Sequence, residues 1–213
     1  MTFYKSLKYT LYIASVFWVI EIFEFVTHFS LSHYGIYPRT QDGLIGILAS
    51  PFLHGDFPHL TSNTIPFIVL TAAILIFYRR ISLPVLVAIY IGTGLGVWLF
   101  ARSSYHIGAS GVIYGEAAFV LFSGIFRKDI KSIALAVAVV LLYGGMVEGI
   151  LPTKPGVSWE SHLIGAIVGG AVAYFFRKFK EDEEEKEKLP KFDDYKRGYR
   201  NIENSHLKYN YKE

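Results

Sequence analysis

The feature that most constrains this chain is a series of six apolar runs, each near the length a helix needs to cross a bilayer, about 20 residues. They read as Tyr9–Phe29, Leu60–Tyr78, Ile81–Ala101, Ile107–Phe126, Ser132–Leu151 and Ser161–Phe176, the last expected to extend back through Val157-Ser158-Trp159. Buried helices of a soluble domain are the alternative reading. Six such runs joined by short connections, in a chain that is 52% hydrophobic, argue against it. The expected fold class is an all-α polytopic membrane protein, a six-transmembrane-helix bundle.

The charges orient the bundle. Lys5 and Lys8 precede the first run, Arg79 and Arg80 separate the second and third, Arg127, Lys128 and Lys131 the fourth and fifth, and Arg177, Lys178 and Lys180 follow the sixth. The other side carries Arg39, Arg102 and Lys154. Basic residues stay on the cytoplasmic side, which predicts both termini inside. The first apolar stretch is long and no small-residue cleavage site follows it, so it does not read as a removed signal. The lack of a targeting segment fits a prokaryotic plasma membrane. With no cysteine, disulfides, thiolate metal ligands and a cysteine nucleophile are excluded.

Two domains are expected: a membrane domain over residues 1–180, and a charged cytoplasmic tail over 181–213. The tail opens with Glu181-Asp182-Glu183-Glu184-Glu185-Lys186-Glu187-Lys188, a run that cannot bury apolar surface and predicts disorder. The connection Ser30–Pro58 is long for a bundle and holds an apolar stretch, Gly43–Leu53, too short and too broken by glycine and proline to span. It is expected to dip into the outer leaflet as a partly membrane-embedded first outer loop.

Given this topology, runs two, four and six all begin on the outer side. His59 precedes run two, Ser110 opens run four and His162 opens run six, so three polar groups share one depth. Polar side chains at membrane depth are functional candidates by default, and serine with histidine is the nucleophile–base combination of a hydrolase. Gly111/Gly115 and Gly165/Gly169 are small-xxx-small pairs that let helices approach closely in lipid. A close crossing of runs four and six would bring the imidazole to the hydroxyl. His59 and Asn63, four residues apart on one helical face, and the Ser110 amide are candidate donors to an oxyanion. Tyr114, one turn below Ser110, could contact the imidazole.

The segments His59-Leu60-Thr61-Ser62-Asn63, Gly108-Ala109-Ser110-Gly111-Val112-Ile113-Tyr114 and His162-Leu163-Ile164-Gly165-Ala166-Ile167-Val168-Gly169, in this order on runs two, four and six, resemble the rhomboid family of intramembrane serine proteases. The resemblance covers about residues 9–178. It implies Ser110 as nucleophile and His162 as base in a dyad, with Tyr114 packed on the histidine ring. His59, Asn63 and the Ser110 amide would form the oxyanion hole, with Gly108, Gly111, Gly165 and Gly169 in support. It further implies hydrolysis of a peptide bond in or beside a substrate's transmembrane helix, with run five as a lateral gate and the loop around Glu148–Trp159 as a cap. Transmembrane protein substrates and the bilayer would be the partners, with no cofactor, no metal and no nucleic acid. One departure stands out: where many members carry a Trp-Arg pair in the first loop, this chain has Ile45-Gly46.

Two other functional classes compete. A catalytically inactive relative that binds transmembrane clients would usually lack the serine or the histidine, and both are present. A transporter would use Glu21, Glu24 and Glu116, acids at membrane depth. They have no basic partners within the runs, so structural hydrogen bonding is the favoured reading for them. A metal site from His54, Asp56 and His59 lacks the paired-histidine helix spacing that would support it.

Overall fold

The computed structural model describes residues 3–153 and 156–179; the 181–213 tail and Lys154 lie outside the described residues. Six long helices occur in chain order with one short helix between the first two: α1 (Phe3–Thr27), α2 (Gly46–Ala49), α3 (Phe57–Phe77), α4 (Ser82–Phe100), α5 (Ser110–Arg127), α6 (Ile130–Tyr143) and α7 (Trp159–Phe175). Short 3₁₀ turns punctuate the loops, and among the described residues a single bridge pairs Ile36 with His106.

Four segments are long and apolar enough to cross a membrane: Phe3–Thr27, Phe57–Phe77, Ser82–Phe100 and Ile130–Ile150. The remaining two, α5 and α7, are shorter at 18 and 17 residues. α5 is the most enclosed helix, burying Gly111, Val112, Ile113, Gly115, Glu116 and five further positions down to Ser123 and Gly124. α1 shows the opposite pattern. It buries one stripe, Ser6, Thr10, Ala14, Phe17 and Glu21, which docks on α3, while Phe23, Phe25 and Val26 point outward.

The ends of the helices differ from the apolar runs for local reasons. α1 starts at Phe3, so Lys5 and Lys8 lie inside the helix. The apolar run marks only the portion suited to hydrocarbon. α5 starts at Ser110, not Ile107, because Gly108 takes φ +103°, outside helical space. α6 gives way at Gly144-Gly145 to a seven-residue 3₁₀ segment, Gly144–Ile150. Glycine pairs weaken α-helical winding, and 3₁₀ geometry takes over at such ends.

In the first outer loop, Asp42–Phe52 forms a chain of short helical turns rather than one helix. Gly43, Gly46, Ile47, Ser50 and Pro51 face inward, while Leu44, Ile45 and Leu48 face out. The segment seats against α4, where the Tyr90 hydroxyl donates to the Leu48 carbonyl. At Gly46 a Cβ would overlap the backbone of Gly35 and Ile36, so this loop has no room for an arginine there.

The closest contact in the bundle is between α5 and α7. A Cβ on Gly165 would overlap the Gly111 carbonyl oxygen, and one on Gly169 would overlap that of Gly115. Lipid supplies no hydrophobic force between helices, so van der Waals contact of bare backbones carries this association. Substituting Gly169 by leucine is expected to lower stability by about 2 kcal/mol or more, since backbone must move to admit the side chain. Thermal unfolding in detergent checks this, and an unchanged midpoint would show that the crossing does not depend on glycine.

Candidate active site

The α5–α7 crossing decides which side chains meet. Ser110 is the first residue of α5 and adjoins Gly111; His162 is in the first turn of α7, three residues before Gly165. Ser110 Oγ lies 2.7 Å from His162 Nε2, a hydrogen-bonded serine–histidine pair. The imidazole is buried and stacks on Tyr114, with ring centroids 4.1 Å apart and planes within 5°. Its Nδ1 lies 2.9 Å from the Gly149 carbonyl oxygen, and the Tyr114 hydroxyl donates to the Met146 carbonyl at 2.6 Å.

Gly108 opens the space beside this pair. Its positive φ turns the chain into α5, and its N–H donates to the Ser50 carbonyl at 2.9 Å. A Cβ there would come within 2.7 Å of His59 Nε2 and 3.6 Å of Asn63 Nδ2, so a side chain at 108 would fill the gap in front of both. Asp56 caps α3 by accepting the His59 N–H at 2.6 Å, which places His59 and Asn63 on its first two turns. Among the described residues the buried Asn63 Nδ2 has no hydrogen-bond partner, a state it shares with several other buried atoms, the Thr93 hydroxyl included. A buried donor left so calls for an explanation. His54, in the loop before α3, packs at 5.1 Å against the His59 ring. Burial, with His59 adding to it, pushes the His54 pKa down to about 4, so that ring is neutral.

A second polar network ties the two loops that enter α5 and α7. Arg102 Nη1 donates to both oxygens of Glu160 at 3.1 and 3.0 Å, and Nη2 donates to the Val157 carbonyl at 3.0 Å. His106 Nε2 lies 3.0 Å from the Arg102 carbonyl, which can only accept, so Nε2 carries the proton. Nδ1 then accepts from the Ser158 hydroxyl at 2.5 Å, and Ser158 in turn meets Ser161 Oγ at 2.6 Å. On the far side of that loop, Arg39 donates to the carbonyls of Leu99 and Ala101. None of these pairings followed from spacing. The one signal available was that Arg39 and Arg102 stand on the side where basic residues are scarce.

Of the intramembrane acids, Glu21 and Glu24 lie three residues apart on α1, and Glu116 lies on α5. Glu116, fully enclosed in α5, meets the Thr71 hydroxyl through both oxygens at 2.8 and 3.0 Å. Glu24 accepts the Leu31 N–H at 2.6 Å. Among the described residues no three histidine or acidic side chains gather as a metal-ligand set, and Asp56 is engaged as a helix cap.

Helices apolar enough to span, packed with a glycine-tight crossing where a serine and a histidine are hydrogen-bonded, define a polytopic integral membrane protein. A family model described as Rhomboid domain matches residues 41–179. Two mycobacterial proteins described as uncharacterized are similar over 169 residues. That of Mycobacterium tuberculosis (strain ATCC 25618 / H37Rv) is 34% identical, covering 75% of this chain and 70% of its own length. That of Mycobacterium leprae (strain TN) is 36% identical, covering 75% and 67%. No solved structure matches the chain. The chain belongs to the rhomboid family.

Glu160 is nearly buried and Arg102 about half exposed, so removing the arginine leaves a carboxylate without its partner. Arg102→Ala is expected to destabilise the protein by about 1–2 kcal/mol, and adding Glu160→Ala to recover part of that loss. Thermal midpoints of the single and double variants check this; simple addition of the two losses would deny the coupling.

Proposed function

We propose that this protein is an intramembrane serine endopeptidase that uses Ser110 and His162 to hydrolyse a peptide bond in or beside the transmembrane helix of a membrane-protein substrate. The observation that carries the reading is the 2.7 Å contact of Ser110 Oγ with His162 Nε2 at the helix crossing. His162 Nε2 takes the Ser110 proton as Oγ attacks the scissile carbonyl carbon. The oxyanion that forms is met by the Ser110 N–H, by Asn63 Nδ2 and by His59. The first amides of a helix have no intrahelical acceptor, and Asn63 Nδ2 is already stripped of water and aimed at the gap beside Gly108. His162 then gives the proton to the leaving amine. A water attacks the acyl-enzyme as His162 takes its proton, and His162 hands that proton to Ser110 Oγ as the carboxylic product leaves.

A hydrogen-bonded helix shields its carbonyl carbons, so the substrate must unwind locally near the cut. Helix-weakening residues and a small residue before the scissile bond favour this. The proposed topology has six spans with both termini in the cytoplasm, which puts the site toward the outer face of a prokaryotic plasma membrane. α6 is the proposed lateral gate; among its own residues it buries only Ser132 and Ala136, and it packs on α5.

The test is cleavage of a reporter transmembrane substrate together with fluorophosphonate labelling of the purified protein in detergent. Wild type is expected to cleave and label. Ser110→Ala and His162→Ala are each expected to lose cleavage by roughly 10³-fold or more while remaining folded. Equal cleavage by Ser110→Ala overturns the proposal. A folded wild type that neither labels nor cleaves would point to a client-binding relative without activity.

A further inference from the structure

His162 does not act on Ser110 alone; it is held from behind. A carbonyl oxygen can only accept, so the 2.9 Å contact between Nδ1 and Gly149 fixes the proton on Nδ1. The lone pair of the neutral ring is then on Nε2, facing the Ser110 hydroxyl. Tyr114, stacked flat on the same ring, is tied to the Met146 carbonyl three residues earlier. One seven-residue 3₁₀ segment therefore grips the imidazole at its edge and, through Tyr114, at its face. The nearest acid along α7, Glu160, is turned away to Arg102.

We infer that the Gly149 backbone carbonyl is the orienting third member of the Ser110–His162 pair, and that Gly149 is a positioning residue which only glycine can fill. The inference rests on the protease reading above. A neutral carbonyl suits this depth, where a carboxylate would carry a large desolvation penalty. It still strengthens as the ring becomes imidazolium, because the hydrogen bond is then charge-assisted. The demand for glycine is one of space. Gly149 has no positive φ, yet a Cβ on it would overlap the Tyr114 hydroxyl and lie 3.1 Å from His162 Nδ1. Gly144 and Gly145, in the same segment, are different: a Cβ on either meets nothing within 4 Å. The methyl of Gly149→Ala must push the segment off the ring, which removes the acceptor and leaves the tautomer unset.

The experiment compares wild type, Gly149→Ala and Val147→Ala, all purified in detergent with folding checked by thermal unfolding. The readouts are the fluorophosphonate labelling rate, kcat and KM on the reporter substrate, and the nitrogen NMR signals of His162, assigned by their loss in His162→Ala. Gly149→Ala is expected to lower the labelling rate and kcat by roughly 100-fold with little change in KM, as small misplacements of reacting groups do. It should also lose the Nδ1–H signal seen in wild type. Val147→Ala, at an exposed position of the same segment, is expected to match wild type in all of these. Gly149→Ala with the labelling rate, kcat and Nδ1–H signal of Val147→Ala would overturn this inference and leave the dyad standing. A wild type that neither labels nor cleaves would overturn the protease reading and this inference with it.

Discussion

Everything in this molecule hangs on bare backbone meeting bare backbone where α5 crosses α7. At Gly111, Gly115, Gly165 and Gly169 the two helices approach until a single methyl on Gly165 or Gly169 would strike a carbonyl oxygen. In lipid, where apolar side chains gain nothing by leaving the solvent, such contact is a principal source of helix association. It also does geometric work. The helices that carry the serine and the histidine are the same two that cannot move apart without losing their closest packing. The surrounding helices enclose this pair, with α4 packing on α7 and α3 supplying His59 and Asn63 from the side.

Polar groups follow a second rule, that each must find a partner where water is scarce. Glu116 meets Thr71, Arg102 meets Glu160, Arg39 meets carbonyls at the end of α4, and the His106–Ser158–Ser161 chain joins the loops ahead of α5 and α7. The first joins α3 to α5, and the others hold the loops that lead into Ser110 and His162. Among the described residues Asn63 Nδ2 is one of several buried polar atoms left without a partner, and it borders the gap at Gly108.

Much of the helical framework was legible in the sequence because hydropathy runs are long-range signals that local detail does not erase. The approach of Ser110 to His162 was legible too, since the glycine spacing fixes which faces of runs four and six meet. What could not be read were features set by single backbone angles or by pairings between distant loops. Gly108 delays the start of α5, Gly144-Gly145 converts the end of the fifth run to 3₁₀ winding, and Arg102 reaches Glu160 across 58 positions of sequence. The acceptors for Tyr114 and His162 are backbone carbonyls, and a carbonyl leaves no mark on the identity of its residue. Gly149 could have been noticed only as a glycine; nothing in its neighbours says which groups lie against it.

The glycine crossing also has a consequence for how such a chain can diverge. The distance between hydroxyl and imidazole is stored as a count of residues: Ser110 one step before Gly111, His162 three steps before Gly165. Side chains on the outer faces of α5 and α7 can change identity without touching that count. One residue inserted between His162 and Gly169 would swing the ring by about 100° around the helix axis and shift it by about 1.5 Å. Length is therefore frozen within two turns of each of these helices, so that an insertion or deletion there breaks the site even where every residue type is kept.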